Sequence, residues 1–340
     1  MKFLRKLLFP FAILYDFITS IRNLFFDKGI MKSNSFDIPI IAVGNLSVGG
    51  TGKTPQIEYL IRLLSENYKI ATLSRGYKRK SEGFILADAT ANAESIGDEP
   101  FQYYQKFPQI QVTVDANRTN GIQQLLTQKN APEIILLDDA FQHRKVKAGL
   151  YILLTANNDL YCDDFILPVG NLRESTNGAH RAKIVIVTKC PESLSLDEKN
   201  RIKAKLKLNA NQHLFFTSIS YDNNVFSESG KIPVNEIQKM DKVLLAGIAK
   251  PEPFFNFLKK EGDEILSFPD HHHFSESEIA QIKVKANNKL IITTEKDFVR
   301  IKEQFPAEQL FYLPIRSSFL ENKDVFDETV SAFVKNFSIK

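Results

Sequence analysis

Pro39-Ile40-Ile41-Ala42-Val43-Gly44-Asn45-Leu46-Ser47-Val48-Gly49-Gly50-Thr51-Gly52-Lys53-Thr54-Pro55 decides the fold. An apolar, β-prone run enters a glycine-rich turn ending in Gly-Lys-Thr, and Ile57, Leu60, Ile61 and Leu64 then recur at helical spacing. Strand, loop and helix in this order are the context that a phosphate-binding loop requires. The glycines let successive backbone N–H groups converge on phosphate oxygens, and the helix N-terminus adds its own unpaired N–H groups and positive dipole end. Residues Ser47, Val48, Gly49, Gly50, Thr51 and Gly52 form the expected nucleotide cradle. Lys53 supplies a point charge to the β- and γ-phosphates, and the Thr54 hydroxyl is the expected Mg²⁺ ligand. The usual pattern has glycine where Ser47 stands; Gly49 and Gly50 supply backbone freedom instead.

A second apolar run, residues 133–139, ends in Asp138-Asp139 and matches a Walker B strand. Such a strand delivers an aspartate to the rim of the sheet, where it meets Mg²⁺ directly or through water. Ala140-Phe141-Gln142-His143 adds polar groups at the same rim, with a structural role open for His143. Further strands are read at residues 69–73, 112–114, 151–154 and 183–187. Strands alternating with helices predict a P-loop NTPase-type, mostly parallel sheet with helices on both faces. In such sheets ligands lie beyond the carboxyl ends of the strands. Arg75 and Tyr77 fall there, and so does Arg173, whose guanidinium can clamp phosphate oxygens bidentately. Gly97-Asp98-Glu99-Pro100 reads as a turn or helix start; helix cap, metal ligand and general base are all open for Asp98 and Glu99. Thr188-Lys189-Cys190-Pro191 sits where a guanine-reading Asn-Lys-x-Asp would fall and lacks its aspartate, so guanine specificity is not supported.

The chain has 340 residues, 43% of them hydrophobic, enough for two domains or one large domain with extensions. A formal net charge of +4 is too small for a nucleic-acid-binding stripe. Cys162 and Cys190 are the only cysteines, which excludes a disulfide framework and a cysteine zinc site. Residues 2–26 are dense in Phe, Leu and Ile, punctuated by Lys2, Arg5, Lys6 and Arg22. Asp16 and Arg22 interrupt any span, and no small-residue cleavage site follows. An amphipathic helix lying on a membrane surface fits, with a helix buried against the next domain as the alternative. The boundaries expected are an interfacial helix region at 1–38, a P-loop kinase domain at 39–225, a polar linker at 226–240 and a smaller α/β C-terminal domain at 241–340. Three histidines beside Asp270, at His271, His272 and His273, suggest metal binding or proton transfer; consecutive residues are poor chelators of one ion.

The sequence resembles the tetraacyldisaccharide 4′-kinases, the lipid A 4′-kinases of Gram-negative bacteria. The resemblance rests, in order, on the loop at 44–55, Leu73-Ser74-Arg75-Gly76-Tyr77, Gly97-Asp98-Glu99-Pro100, Asp115-Ala116-Asn117-Arg118, Asp138-Asp139-Ala140-Phe141-Gln142-His143, Leu167-Pro168-Val169-Gly170-Asn171-Leu172-Arg173-Glu174, Asp270-His271-His272 and Thr294-Glu295-Lys296-Asp297. It covers nearly the whole chain and accounts for Ser47. Ala140 replaces a usual glycine, and Asn171 replaces the second proline of the motif. The resemblance implies ATP, Mg²⁺ and an acylated disaccharide held in a membrane, with the protein peripheral on the cytoplasmic face of the inner membrane. It implies no nucleic acid and no obligate protein partner. It casts Asp98 as general base on the sugar 4′-hydroxyl, oriented by His271, with Lys53 and Arg173 also catalytic. It gives Thr54, Glu99, Asp138 and Asp139 to the metal, and Asn45, Arg75, Tyr77, Arg118 and Gln142 to the acceptor. The competing class is a membrane-associated P-loop nucleotide switch or insertion factor that phosphorylates nothing.

Overall fold

The protein was described from a computed structural model, which covers residues 5–270 and 272–337. The helix α1 (Phe9–Asp27) carries Pro10 in its first turn, where its fixed φ and missing N–H are tolerated. Its burial is inverted. Leu7, Leu8, Phe9, Phe11, Ile13, Leu14, Phe17, Ile18, Leu24 and Phe25 are exposed, whereas Tyr15, Asp16, Arg22 and Asn23 are half-buried toward the body of the protein. The buried-helix alternative therefore does not hold for this face. No helix among the described residues is long and apolar enough to cross a membrane.

The strands β1 (Ile40–Asn45), β2 (Ile70–Ser74), β3 (Ile85–Leu86), β4 (Gln111–Val114), β5 (Ile134–Asp138), β6 (Leu150–Ala156), β7 (Ile184–Thr188) and β8 (His213–Tyr221) lie in one nine-stranded sheet. A second sheet holds β9 (Asn224–Phe226), β10 (Lys231–Pro233), β11 (Lys242–Ala246), β12 (Glu264–Ser267), β13 (Leu290–Thr294) and β14 (Leu310–Leu313). The ninth strand of the first sheet is β15 (Ile315–Phe319), and the order there is β15-β8-β7-β6-β1-β5-β2-β4-β3. Its interior is parallel; β15 and β3 are antiparallel edges. From β1 the chain winds one way through β2, β4 and β5, then crosses to β6 on the other side. That reversal opens a crevice at the carboxyl end of β1.

The sheet is covered on both faces because successive strand residues point to opposite sides. Ile41 and Val43 meet Ile57, Leu60 and Ile61 of α2 (Lys53–Leu64), while Ile40 and Ala42 meet Ile122 and Leu125 of the helix Arg118–Leu126.

Two expected boundaries change. Residues 226–240 are not a free linker: β9 and β10 form an edge of the second sheet, and Val234 and Ile237 are buried. Residues 241–340 are not one unit either. β15 pairs with β8, and the helix Lys323–Lys335 packs Phe326 against Tyr59 and Phe215, so both complete the first lobe. The second lobe is thus inserted between β8 and β15.

The lobes are joined by buried charge. Lys106, at the end of the helix Asp98–Lys106, lies 2.7 Å from Glu58 of α2 and 2.5 Å from Glu295 of the second lobe. Burial, then repulsion from Glu58, pushes Glu295 up to about 7, with Lys106 opposing. A carboxyl raised in the folded state holds a proton that the unfolded chain has released, so stability falls as pH rises from about 4.5 to about 7. Glu295→Gln removes that dependence. Thermal melts of both proteins between pH 4.5 and 8 should show the variant gaining on the wild type as pH rises, with the gain levelling above pH 7. A constant difference across that range would refute the assignment.

Candidate nucleotide and acceptor site

The loop after β1 ends at Gly52, which caps α2 with φ +83°, a conformation that glycine adopts without strain. Gly44 serves a close approach: a Cβ there would lie 2.7 Å from that of Phe141. The loop is braced from behind by β7 and the turn that follows it. Thr188 Oγ1 donates to the Thr51 carbonyl at 2.7 Å, and Lys189 Nζ to the Gly50 carbonyl at 2.6 Å. Lys189 therefore supports the loop, in the place where the sequence offered no guanine-reading motif.

Asn45, at the end of β1, is fully buried. Its side-chain oxygen faces Lys53 Nζ at 3.5 Å and accepts from Arg173 Nη2; its amide donates to the Ser47 carbonyl at 2.7 Å. Its backbone carbonyl accepts from Gln142 Nε2 at 2.9 Å and Arg173 Nη2 at 3.1 Å. Asn45 thus organises the nucleotide side of the site, and burial removes it from direct contact with an acceptor. Lys53 also lies 3.8 Å from Asp139, which Arg173 grips at 2.8 and 3.2 Å. Burial alone would raise Asp139, but Lys53 and Arg173 outweigh it and hold the carboxyl below its ordinary range.

Asp138 has the opposite environment. It is buried beside β1, where Val43 is its register partner, and burial followed by repulsion from Glu99 pushes it up to about 7. Tyr103 donates to its Oδ2 at 3.2 Å, whereas Oδ1 is buried with no protein partner. A buried oxygen without a donor fits a cation coming from the loop side. Among the described residues no three His, Cys, Asp or Glu side chains converge as a metal cage. Mg²⁺ does not require one, since it keeps waters and takes phosphate oxygens beside one or two protein ligands.

Asp98 and Glu99 occupy the first turn of the helix Asp98–Lys106, while its N-cap is Gly97 at φ +93°, so neither acid is the cap. Asp98 is held by Arg300 of the helix Glu295–Ile301, with Nε to Oδ1 at 3.1 Å and Nη2 on Oδ2. Arg300 was not singled out by the sequence. The only sequence signal for it is its place one turn beyond Asp297. His271 lies outside the described residues. Its neighbours are engaged: Asp270 with Lys296 at 2.9 Å, and His272 with Glu278 at 3.0 Å while stacked on Phe268.

A cavity of about 470 Å³ opens beside this rim, between α1 and the turns after β4 and β5. Arg22, Asn117, Gln142, His143, Arg144 and Lys145 contribute to its wall. Burial, then Arg118, Lys145, Arg22 and Arg75, lowers His143 to about 4, so its ring is neutral, kept so first by burial and then by its basic neighbours. Arg118 itself is buried and spent on the carbonyls of Asp115 and Asp138, at 2.6 and 3.2 Å, so it braces the Walker strand and is turned away from the cavity. Arg75 and Tyr77 are solvent-exposed beyond β2.

The two departures from the family pattern have local explanations. Ala140 is buried in the core without positive φ, so its methyl group fits. Asn171 accepts from Arg5 Nη1 at 3.3 Å, while Arg5 also donates to the Gly170 carbonyl at 2.6 Å.

A glycine-rich loop on β1, an aspartate on the adjacent β5 and a lysine between them define a P-loop nucleotide-binding protein, with a second cavity of about 470 Å³ beside the loop. The chain belongs to the family described as tetraacyldisaccharide-1-P 4′-kinase, whose family model matches residues 4–335. It is 64% identical over 335 residues to the tetraacyldisaccharide 4′-kinase of Flavobacterium johnsoniae, covering 98% of each chain. It is 46% identical to that of Bacteroides thetaiotaomicron, covering 98% of this chain and 94% of the relative. Among solved structures, the "apo" form of LpxK from Aquifex aeolicus in complex with ATP superimposes with a TM-score of 0.78 at 29% identity, covering 97% of this chain and 99% of that one.

Lys53→Met should lower nucleotide turnover by roughly 10²-fold, because it removes charge stabilisation at the transferring phosphate. Its melting temperature should stay close to that of the wild type, since among the described residues the Lys53 ammonium makes only long contacts, at 3.5 and 3.8 Å. Near-native turnover in this variant would exclude Lys53 from the phosphate site.

Proposed function

We propose that this protein transfers the γ-phosphate of ATP to the 4′-hydroxyl of a tetraacylated glucosamine disaccharide 1-phosphate. The observation that carries the reading is the pairing of a complete P-loop with a separate basic cavity next to an outward-facing apolar helix. The loop at 47–54 would hold the triphosphate. Asp138 and the Thr54 hydroxyl would hold Mg²⁺, with the Glu99 carboxylate adding negative charge beside Asp138. Mg²⁺ bound there supplies neutralisation of phosphate charge. Arg173 is poised to exchange Asp139 for phosphate oxygens, with the same fork geometry.

The Asp98 carboxylate takes the hydroxyl proton as the sugar oxygen bonds to the γ-phosphorus. The bond from that phosphorus to the bridging oxygen breaks, and ADP leaves with the electron pair. The basic wall at Arg22 and Lys145 suits the anionic 1-phosphate end of the acceptor, and Gln142 and the exposed Arg75 and Tyr77 suit its sugars. The acyl chains stay in lipid. The apolar face of α1 would lie in the bilayer boundary, placing the protein on the cytoplasmic face of the inner membrane, where ATP is available.

Two experiments test this reading. With γ-labelled ATP and the acceptor in mixed micelles, the label should move to the acceptor lipid. Label found only as inorganic phosphate would favour the nucleotide-switch alternative. Replacing Phe11 and Phe17, both largely exposed, by serine should weaken sedimentation with anionic vesicles and raise KM for the acceptor. ATP affinity should stay unchanged. Undiminished vesicle binding would remove α1 as the membrane contact.

A further inference from the structure

We propose that Arg300 is a positioning residue for Asp98, so that the base offered by the first lobe is aligned by the second. This deepens the reading above and rests on Asp98 acting as the base. Asp98 heads the helix Asp98–Lys106, and Arg300 ends the last turn of Glu295–Ile301, 202 positions away in sequence. The guanidinium engages both carboxylate oxygens, Nε on Oδ1 at 3.1 Å and Nη2 on Oδ2. Two-point contact fixes the plane of the carboxylate as well as its location, which one hydrogen bond cannot do. Proton transfer in the transition state is sensitive to that plane, because the accepting lone pair must face the hydroxyl.

Arg300 is itself fixed. Its Nη1 lies 3.5 Å from Oδ1 of Asp297, whose side chain is fully buried. Asp297 Oδ2 accepts from the Gly247 N–H at 2.8 Å and from Thr294 Oγ1 at 2.6 Å. The chain of contacts therefore runs from the carboxyl ends of β11 and β13, through Asp297 and Arg300, to Asp98. It assigns a use to the Thr294-Glu295-Lys296-Asp297 stretch: Asp297 seats the arginine one turn later. The second clamp at the far end of the same helix pair, Lys106 to Glu295 at 2.5 Å, sets the two helices against each other. Asp98 is thus aligned only when the lobes are apposed.

The test compares Arg300→Ala, Arg300→Gln and Arg300→Lys with Asp98→Asn, as full-length proteins. Arg300→Ala and Arg300→Gln should each lose about 10²-fold in kcat, with KM for ATP and for acceptor within about threefold of wild type. Arg300→Lys, a point charge without the fork, should recover only part of the loss. Added guanidinium at millimolar concentration should raise kcat of Arg300→Ala and leave the wild type unchanged. The double variant with Asp98→Asn should lose no more than Asp98→Asn alone. If Arg300→Ala is too unstable to assay, Arg300→Gln carries the same comparison, since it keeps a donor at the site. Wild-type kcat in Arg300→Gln, or losses that add fully with Asp98→Asn, would overturn the proposal while leaving Asp98 as base. Near-native kcat in Asp98→Asn would instead remove the base itself, and the proposal with it.

Discussion

The site depends on one buried amide. Asn45 ends the central strand at the point where the winding of the sheet reverses, and every polar atom of its side chain and its carbonyl is used. Burying an unsatisfied amide costs about 1–3 kcal/mol, so the groups that satisfy Asn45 are held to their places. Those groups are Lys53 of the P-loop, Arg173 from the segment before β7, and Gln142 from the turn after β5. Three loops distant in sequence therefore share one anchor. Asp139, reached by both Lys53 and Arg173, completes the ring. Two cations share one carboxylate there, so the ring keeps a net positive charge that suits phosphate.

Helix α1 joins this arrangement through its polar side. Tyr15 donates to the Arg173 carbonyl at 3.1 Å, and Asn23 to Glu174 Oε2 at 2.7 Å. Glu174 is fully buried and also takes Gln142 at 3.0 Å and Arg181 at 2.7 Å. A helix that turns its polar residues inward and its Phe and Leu outward is explained by what each side meets. The inward side meets exposed carbonyls and carboxylates of the site. On the outward side the Phe and Leu side chains stay exposed, with none of the described residues packed over them.

How much of this was legible in the sequence depended on how local the cause was. The P-loop, the Walker strand and α2 are written in adjacent residues, and their reading held. The polar stretch at 226–240 misled because β10 is a three-residue edge strand with both end residues exposed, so no apolar run announces it. β15 carries Arg316 and two serines and was missed; it is an edge strand whose Arg316 pairs with Asp222. Asp98 was found by its motif, but Arg300 was not, since their meeting is created by topology alone. The family resemblance gave Arg118 and Asn45 to the acceptor; both side chains are buried and engaged within the protein, which no local stretch of sequence could announce.

The return of the chain to its first sheet bears on synthesis. When residues up to Tyr221 have emerged, β8 is still an open edge, and Phe215 and Tyr59 lack the covering Phe319 and Phe326. The whole inserted lobe must be made before β15 and the last helix arrive to close that edge. An open edge strand beside uncovered aromatic rings is a template for pairing with another nascent chain. The first lobe, which carries the P-loop, is therefore the last to be finished, and it is exposed to misassembly on the ribosome for as long as its partner lobe takes to translate.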